Sequence, residues 1–238
     1  MVSERLFSRS FPEFWRTVTP RLDHSFLEAM ADPSSPFRER WESAYSGSAP
    51  RRQNDLVAEM AFGLYCTSIS KNTEVDALSE ADCETAFRQA SQRIAILRRL
   101  AKASLLEITP AHREDAYAIA RRLRRYLTGP VSSIVIQPLL PGVGMINSCY
   151  ADLMGSEELI EIKMGASPFR TVDLRQLLTY CALAHASSAY AVRSCALVNP
   201  RTGLTWRFPL SDLIAQISDL STPEFFEAFL AFIDDDHT

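Results

Sequence analysis

The chain has 238 residues, 47% of them hydrophobic and 23% charged, with a formal net charge of -4. That supports one sizeable core, or a core with a helical lobe attached, and it excludes whole-molecule attraction to nucleic acid, so any such binding must come from a local patch. Five cysteines (Cys66, Cys83, Cys149, Cys181, Cys195) are widely spaced, odd in number and form no C-x-x-C, which argues against a zinc site or a disulfide framework and suits a reduced, cytoplasmic protein.

Met1 to Ser10 carries two arginines and no apolar core, unlike a signal peptide. Phe11 to Ala31 has apolar residues at helical intervals behind Pro12, which predicts an amphipathic helix. Asp32 to Arg52 is rich in Pro, Ser, Gly and Arg and reads as a loop, with a short helical turn around Phe37 to Tyr45. Helix resumes near Asn54, a natural cap, and its broad apolar surface has Glu59 in the middle. An unpaired carboxylate buried there would be costly, so Glu59 is either tilted to the rim or buried for a purpose.

Two further helices are expected, at about Glu80 to Leu106 and about Pro110 to Leu127, the second with Thr109 as its N-cap. Together they carry Arg93, Arg98, Arg99, Lys102, Arg113, Arg121, Arg122, Arg124 and Arg125. This charge reads either as a solvated face suiting the helix dipole or as a cradle for a phosphate backbone. Gly129-Pro130 ends the helical half. Beyond it come a strand at Ser132 to Leu140, a tight connection at Pro141 to Gly144, and a hairpin. Helix at Asp173 to Ala186, strands at Tyr190 to Val198 and Leu204 to Phe208, and helices at Leu210 to Ile217 and Pro223 to Ile233 complete the order. The expected fold class is therefore α/β, a mixed sheet with helices against it. No apolar run is long enough to cross a bilayer, so no membrane partner is expected.

The hairpin carries the chemistry. Cys149 to Leu153 is β-prone, Gly155-Ser156 is turn chemistry, and Leu159 to Lys163 alternates as a strand should. With the turn at Gly155-Ser156, Asp152 faces Leu159, and Asp152, Glu161 and Lys163 converge on one face; a three-residue turn would separate them. Two carboxylates supply the oxygen ligands that Mg2+ (or Mn2+) prefers, and a lysine on the same face can orient water or stabilise charge on phosphorus. Roughly 0.4 E-x-K matches are expected by chance in a chain of this composition, so the setting carries the weight. Gln176 and Tyr180, four apart on the following helix, share a face.

This segment resembles the core of the PD-(D/E)xK nuclease superfamily, in its RecB and lambda-exonuclease-like branch, over roughly Ser132 to Phe208. Ala151-Asp152-Leu153 matches the first motif, Glu161-Ile162-Lys163 the second, and Gln176 to Tyr180 the Q-x-x-x-Y motif. Ala151 stands where the naming proline would be. The resemblance implies a restriction-endonuclease-like core at 130–238 and says nothing of the region at 1–129, which reads from its own residues as an all-helical N-terminal region whose helix at about 54–70 is available to that core. It implies Asp152, Glu161 and the Ile162 carbonyl as metal ligands, Lys163 as the residue acting on water, and Gln176 and Tyr180 as organisers. A Glu from an upstream helix also faces the metal in that branch; Glu59 and Glu114 compete for the part. Such an enzyme would hydrolyse DNA phosphodiesters, with RNA not excluded, as the nuclease subunit of an anti-phage or DNA-repair system working with a helicase, an ATPase or another protein. The alternatives are a nuclease-fold subunit that binds nucleic acid or a partner without cutting, and a helical adaptor whose sheet is scaffold. Arg170 and Arg175 flank the helix start and read either as surface arginines, the better reading, or as contacts to a phosphate, and the scattered His24, His112, His185 and His237 read as structural or surface residues.

Overall fold

Strand alternation sorts this protein into layers. The computed structural model describes residues 1–98, 106–128, 134–188 and 190–234. Within it β1 (Arg38–Arg40), β2 (Val135–Ile136), β5 (Leu153–Met154), β6 (Glu158–Ile162), β7 (Ser194–Asn199) and β8 (Leu204–Pro209) form one sheet in the order β1-β8-β7-β6-β5-β2. β6 and β7 run parallel and the other pairs antiparallel. β3 (Leu139–Leu140) and β4 (Cys149–Tyr150) make a separate two-stranded ribbon.

Leu159, Cys195 and Leu197 turn toward one set of helices, while Ile160, Ile162, Ala196 and Val198 turn toward the other, as a period of two requires. The first set comprises α1 (Glu4–Ser10), α2 (Pro12–Val18), α3 (His24–Ala31), α7 (Thr171–Ser187), α8 (Leu210–Ile217) and α9 (Thr222–Asp234). The second comprises α4 (Asn54–Ser70), α5 (Glu80–Leu97) and α6 (Pro110–Thr128). Each fully buried large apolar side chain contributes about 1.5–3 kcal/mol, and both faces of the sheet are covered this way. α7 is the crossover between the parallel strands β6 and β7 and is buried on nearly every side.

The N-terminal region departs from its expected form. It is not all helical, because Arg38, Glu39 and Arg40 pair with Trp206, Thr205 and Leu204 where a loop or helical turn was expected. Its helices also pack on both faces of the sheet instead of forming a lobe of their own. The single helix expected over Phe11 to Ala31 is divided: α2 stops at Val18, and Pro20, which lacks an N–H and disfavours helix in the residue before it, separates it from α3. Asn54 is the first helical residue and not the cap; Gln53 takes that place without a side-chain bond. The strand expected up to Leu140 breaks into β2 and β3 at Gln137, whose backbone is left-handed (φ +48°), and Pro138. Arg99, Lys102, Gly129, Pro130, Ser132 and His237 lie outside the described residues, and with them the expected domain boundary.

Candidate active site

The hairpin turns one residue later than its turn chemistry suggested, at Ser156-Glu157, which shifts the register by two. Met154 pairs with Leu159 and Leu153 with Ile160, and the Gly155 N–H donates to the Glu158 carbonyl at 2.8 Å. A shift of two leaves the faces unchanged, whereas a shift of one would have reversed them. Asp152, just before β5, thus comes opposite Glu161 and not Leu159. The ladder ends there, and the Ile162 N–H donates to Asp152 Oδ2 at 2.7 Å. N–H and C=O of one strand residue project to the same side, so the Ile162 carbonyl is aimed at the same opening.

Lys163 follows β6 directly, its N–H held by the Val198 carbonyl at 2.8 Å. Its Nζ donates to Glu161 Oε1 at 2.9 Å and to Gln176 Oε1 at 2.8 Å, with Asp173 Oδ1 at 3.6 Å. Gln176 Nε2 donates to the Tyr180 hydroxyl at 2.8 Å, and Tyr180 in turn donates to Glu4 Oε1 at 3.4 Å. Burial, then the charges of Glu161 and Glu4, push the Tyr180 hydroxyl pKa up, which keeps it a donor. Asp173 also accepts from the Arg170 N–H at 2.9 Å and caps α7. The five residues singled out from the sequence therefore form one connected set, reaching back to α1.

The charges of this set do not balance. Glu161 is 4% exposed and its Oε2 has no hydrogen-bond partner. The Asp152 carboxyl is pushed well above its ordinary pKa by burial and then by the Glu161 charge, against the opposing pull of the Ile162 N–H and Lys163. Two adjacent carboxylates and one inward carbonyl fit Mg2+, which takes one or two protein carboxylates and fills its octahedron with water and substrate oxygens. Among the described residues no group of three or more His, Cys, Asp or Glu forms a metal cage, so the carbonyl is needed to complete such a set.

Above these residues lies a cleft of about 390 Å³ walled by α1 with Arg5 and Arg9, by α4 with Glu59 and Phe62, by Arg93 of α5 and by Arg170. Glu59 does reach the cleft, where its Oε2 lies 3.3 Å from Arg93; Glu114 is exposed on α6 and does not line it. The α6 arginines, read from the sequence either as a solvated face or as a phosphate cradle, are engaged within the chain. Arg121 pairs with Asp76 at 3.1 Å and Arg125 with Glu42 at 3.0 Å. Arg122 is buried and donates to the carbonyls of Pro200 and Ser43, and Arg124 is buried 3.8 Å from Glu74. None of the four lines the cleft, whereas Arg170 does. Arg175 lies over the Trp15 ring at 5.7 Å. His112 is buried against Gln53 at 2.7 Å, His185 stacks on Phe226, and His24 pairs with Glu28.

Arg93, one of the helix arginines named from the sequence, does line the cleft, whereas sequence reasoning missed Arg5 and Arg9 there, and Asn199 and Arg201 beneath it. Asn199 Nδ2 donates to the Gly165 carbonyl at 2.9 Å and Arg201 Nε to the Met164 carbonyl at 3.0 Å, which fixes the segment after Lys163. The available signal was the i, i+4 spacing of Arg5 and Arg9, which puts both on one helix face. No helix among the described residues is long and apolar enough to cross a membrane. No family model, curated protein or solved structure matches this chain.

Proposed function

We propose that this protein is a Mg2+- or Mn2+-dependent nuclease that hydrolyses DNA phosphodiester bonds at Asp152, Glu161 and Lys163. The observation that carries the reading is the buried Glu161 Oε2 without a donor, beside a second carboxylate under the same excess of negative charge. A divalent ion held by Asp152, Glu161 and the Ile162 carbonyl would supply Lewis acidity toward the phosphoryl oxygens and lower the pKa of a water. The chain's own residues do the positioning. Glu161 and Gln176 hold the Lys163 ammonium at the cleft floor, where it orients the attacking water and offsets charge developing on phosphorus. Tyr180 fixes the Gln176 amide, and Glu59, paired with Arg93, lines the same cleft. Water adds its oxygen to phosphorus, the ester P–O bond breaks, and the leaving oxygen takes up a proton.

The test is cleavage of plasmid and oligonucleotide DNA in Mg2+ or Mn2+ against a chelator control. Asp152→Asn, Glu161→Gln and Lys163→Ala should each lower the rate by about 10²-fold or more. Full activity in Lys163→Ala would refute the reading. Metal binding by calorimetry without cleavage would favour a silent nuclease-fold subunit instead.

A further inference from the structure

We infer that the hollow between α4 and α5, beside the catalytic floor, receives an unstacked nucleobase, so that the strand entering this site is single or locally opened and not an intact duplex. This deepens the nuclease reading and rests on it. The hollow, about 170 Å³, opens off the main cleft, and Glu59, Phe62, Arg93 and Gln137 line both spaces. A phosphate above Asp152 and Glu161 therefore has this hollow beside it at the junction.

The lining has the chemistry of a base pocket. Phe62 is a half-buried ring at the junction, and the lining beyond it is of small residues, Gly63, Ala86 and Ala90, where α4 and α5 approach so closely that a Cβ added to Gly63 would sit 3.3 Å from Ala86 Cβ. A ring face of this kind accepts any base by stacking. Gln89 and Gln137 are exposed amides lining the hollow, and each can both donate to and accept from a base edge. Gln137 is tied to the metal-site backbone, since its N–H donates to the Asp152 carbonyl at 2.9 Å while its own backbone is left-handed. Strain of this kind in a non-glycine residue is characteristic of ligand-facing positions. Burial, and next the Asp152 charge, push the Cys66 thiol in the wall of the hollow up to about 12, which places that wall within electrostatic reach of the catalytic acids.

Size points to the same substrate form. At about 390 Å³ the main cleft falls in the range of small-molecule pockets, room for a nucleotide or two. Arg5 and Arg9 on one wall and Arg93 at the junction are then placed for the phosphates flanking the scissile one. In a closed duplex the base beside that phosphate remains stacked and paired, and the hollow stays out of its reach.

The experiment uses the metal-free 238-residue chain in chelator. Anisotropy is measured with a fluorescein-labelled single-stranded oligonucleotide, its abasic version and its blunt duplex, and 2-aminopurine emission is followed as the base analogue is moved along the strand. The single strand should bind at least ten-fold tighter than the duplex or the abasic strand, with a 2-aminopurine emission change concentrated at one position. Phe62→Leu should weaken strand binding about ten-fold and abolish that change; Phe62→Tyr should keep both. Gln89→Glu, at an exposed position, should also weaken binding and guards against a folding artefact in Phe62→Leu. Equal affinity for duplex, a silent 2-aminopurine at every position, or wild-type binding by Phe62→Leu would overturn the inference. Failure of the nuclease reading alone would look different: a bound strand with responsive 2-aminopurine and no cleavage in Mg2+ or Mn2+.

Discussion

Two buried acidic sites in this protein have opposite surroundings. Asp115 on α6 is fully buried and accepts from the Tyr45 hydroxyl at 3.0 Å and from the N–H groups of Ser48 and Ala49 at 2.9 and 3.1 Å. Burial works to raise its pKa, but those donors and the Arg201 charge together hold the carboxyl below its ordinary value. Glu161 and Asp152 share one ammonium and one backbone N–H, leave Glu161 Oε2 without a donor, and drive the Asp152 pKa upward. Burial alone does not mark a functional acid. The completeness of hydrogen bonding separates the two: Asp115 pins the 45–49 segment to α6, while the sheet-edge pair keeps a deficit that a proton on Asp152 or a bound cation would fill.

The largest way to break this comparison is at the satisfied site. Asp115→Ala leaves several buried donors unpaired and should cost about 3 kcal/mol, lowering the thermal midpoint by roughly 6–12 °C. Because the folded pKa of Asp115 is lowered, its stabilisation is complete above the unfolded value near ~3.9 and is lost as pH falls through the folded value. Asp115→Asn should therefore flatten the acid limb of a stability-versus-pH curve; an unchanged limb would contradict the assignment.

Next in size is metal. Mg2+ at about 100 times its dissociation constant should stabilise the native protein by about 2.7 kcal/mol, read as a rise in thermal midpoint that is absent in Glu161→Gln. The smallest effect sharpens the contrast most. Asp152→Asn removes a charge that the folded state disfavours and should raise the metal-free midpoint at neutral pH by about 2–4 °C while eliminating metal binding. Here the folded pKa is raised, so the wild type gains stability as pH falls through that value and levels off below the unfolded one near ~3.9. A midpoint lowered by Asp152→Asn would mean that Asp152 is as well satisfied as Asp115.

The site was legible because its logic is parity. Asp152 and Glu161 share a face for any even shift of register, so misplacing the turn by one residue, which moves the pairing by two, did no harm. Gln176 and Tyr180 obeyed the same kind of rule on α7. What stayed hidden depended on partners distant in sequence. Arg38-Glu39-Arg40 has no strand pattern and is a strand only because β8 presents an open edge to it. The α6 arginines looked like a free patch because Glu42, Glu74 and Asp76, which engage Arg121, Arg122, Arg124 and Arg125, lie at least 45 residues upstream. α1 is only seven residues long, so the one i, i+4 pair of Arg5 and Arg9 was all the periodicity it offered.

The aromatic contacts between the first and last helices bear on when the cleft comes into being. Phe7 of α1 and Phe14 of α2 pack on Phe229 and Phe232 of α9, with ring centroids 4.4–6.2 Å apart. α9 lines no part of the cleft, yet it anchors the helix that carries Arg5 and Arg9. During synthesis α1 leaves the ribosome early and must wait, without its aromatic dock, until α9 has followed it out. A nascent chain stalled before α9 would hold Asp152, Glu161 and Lys163 with one side of their enclosure still adrift.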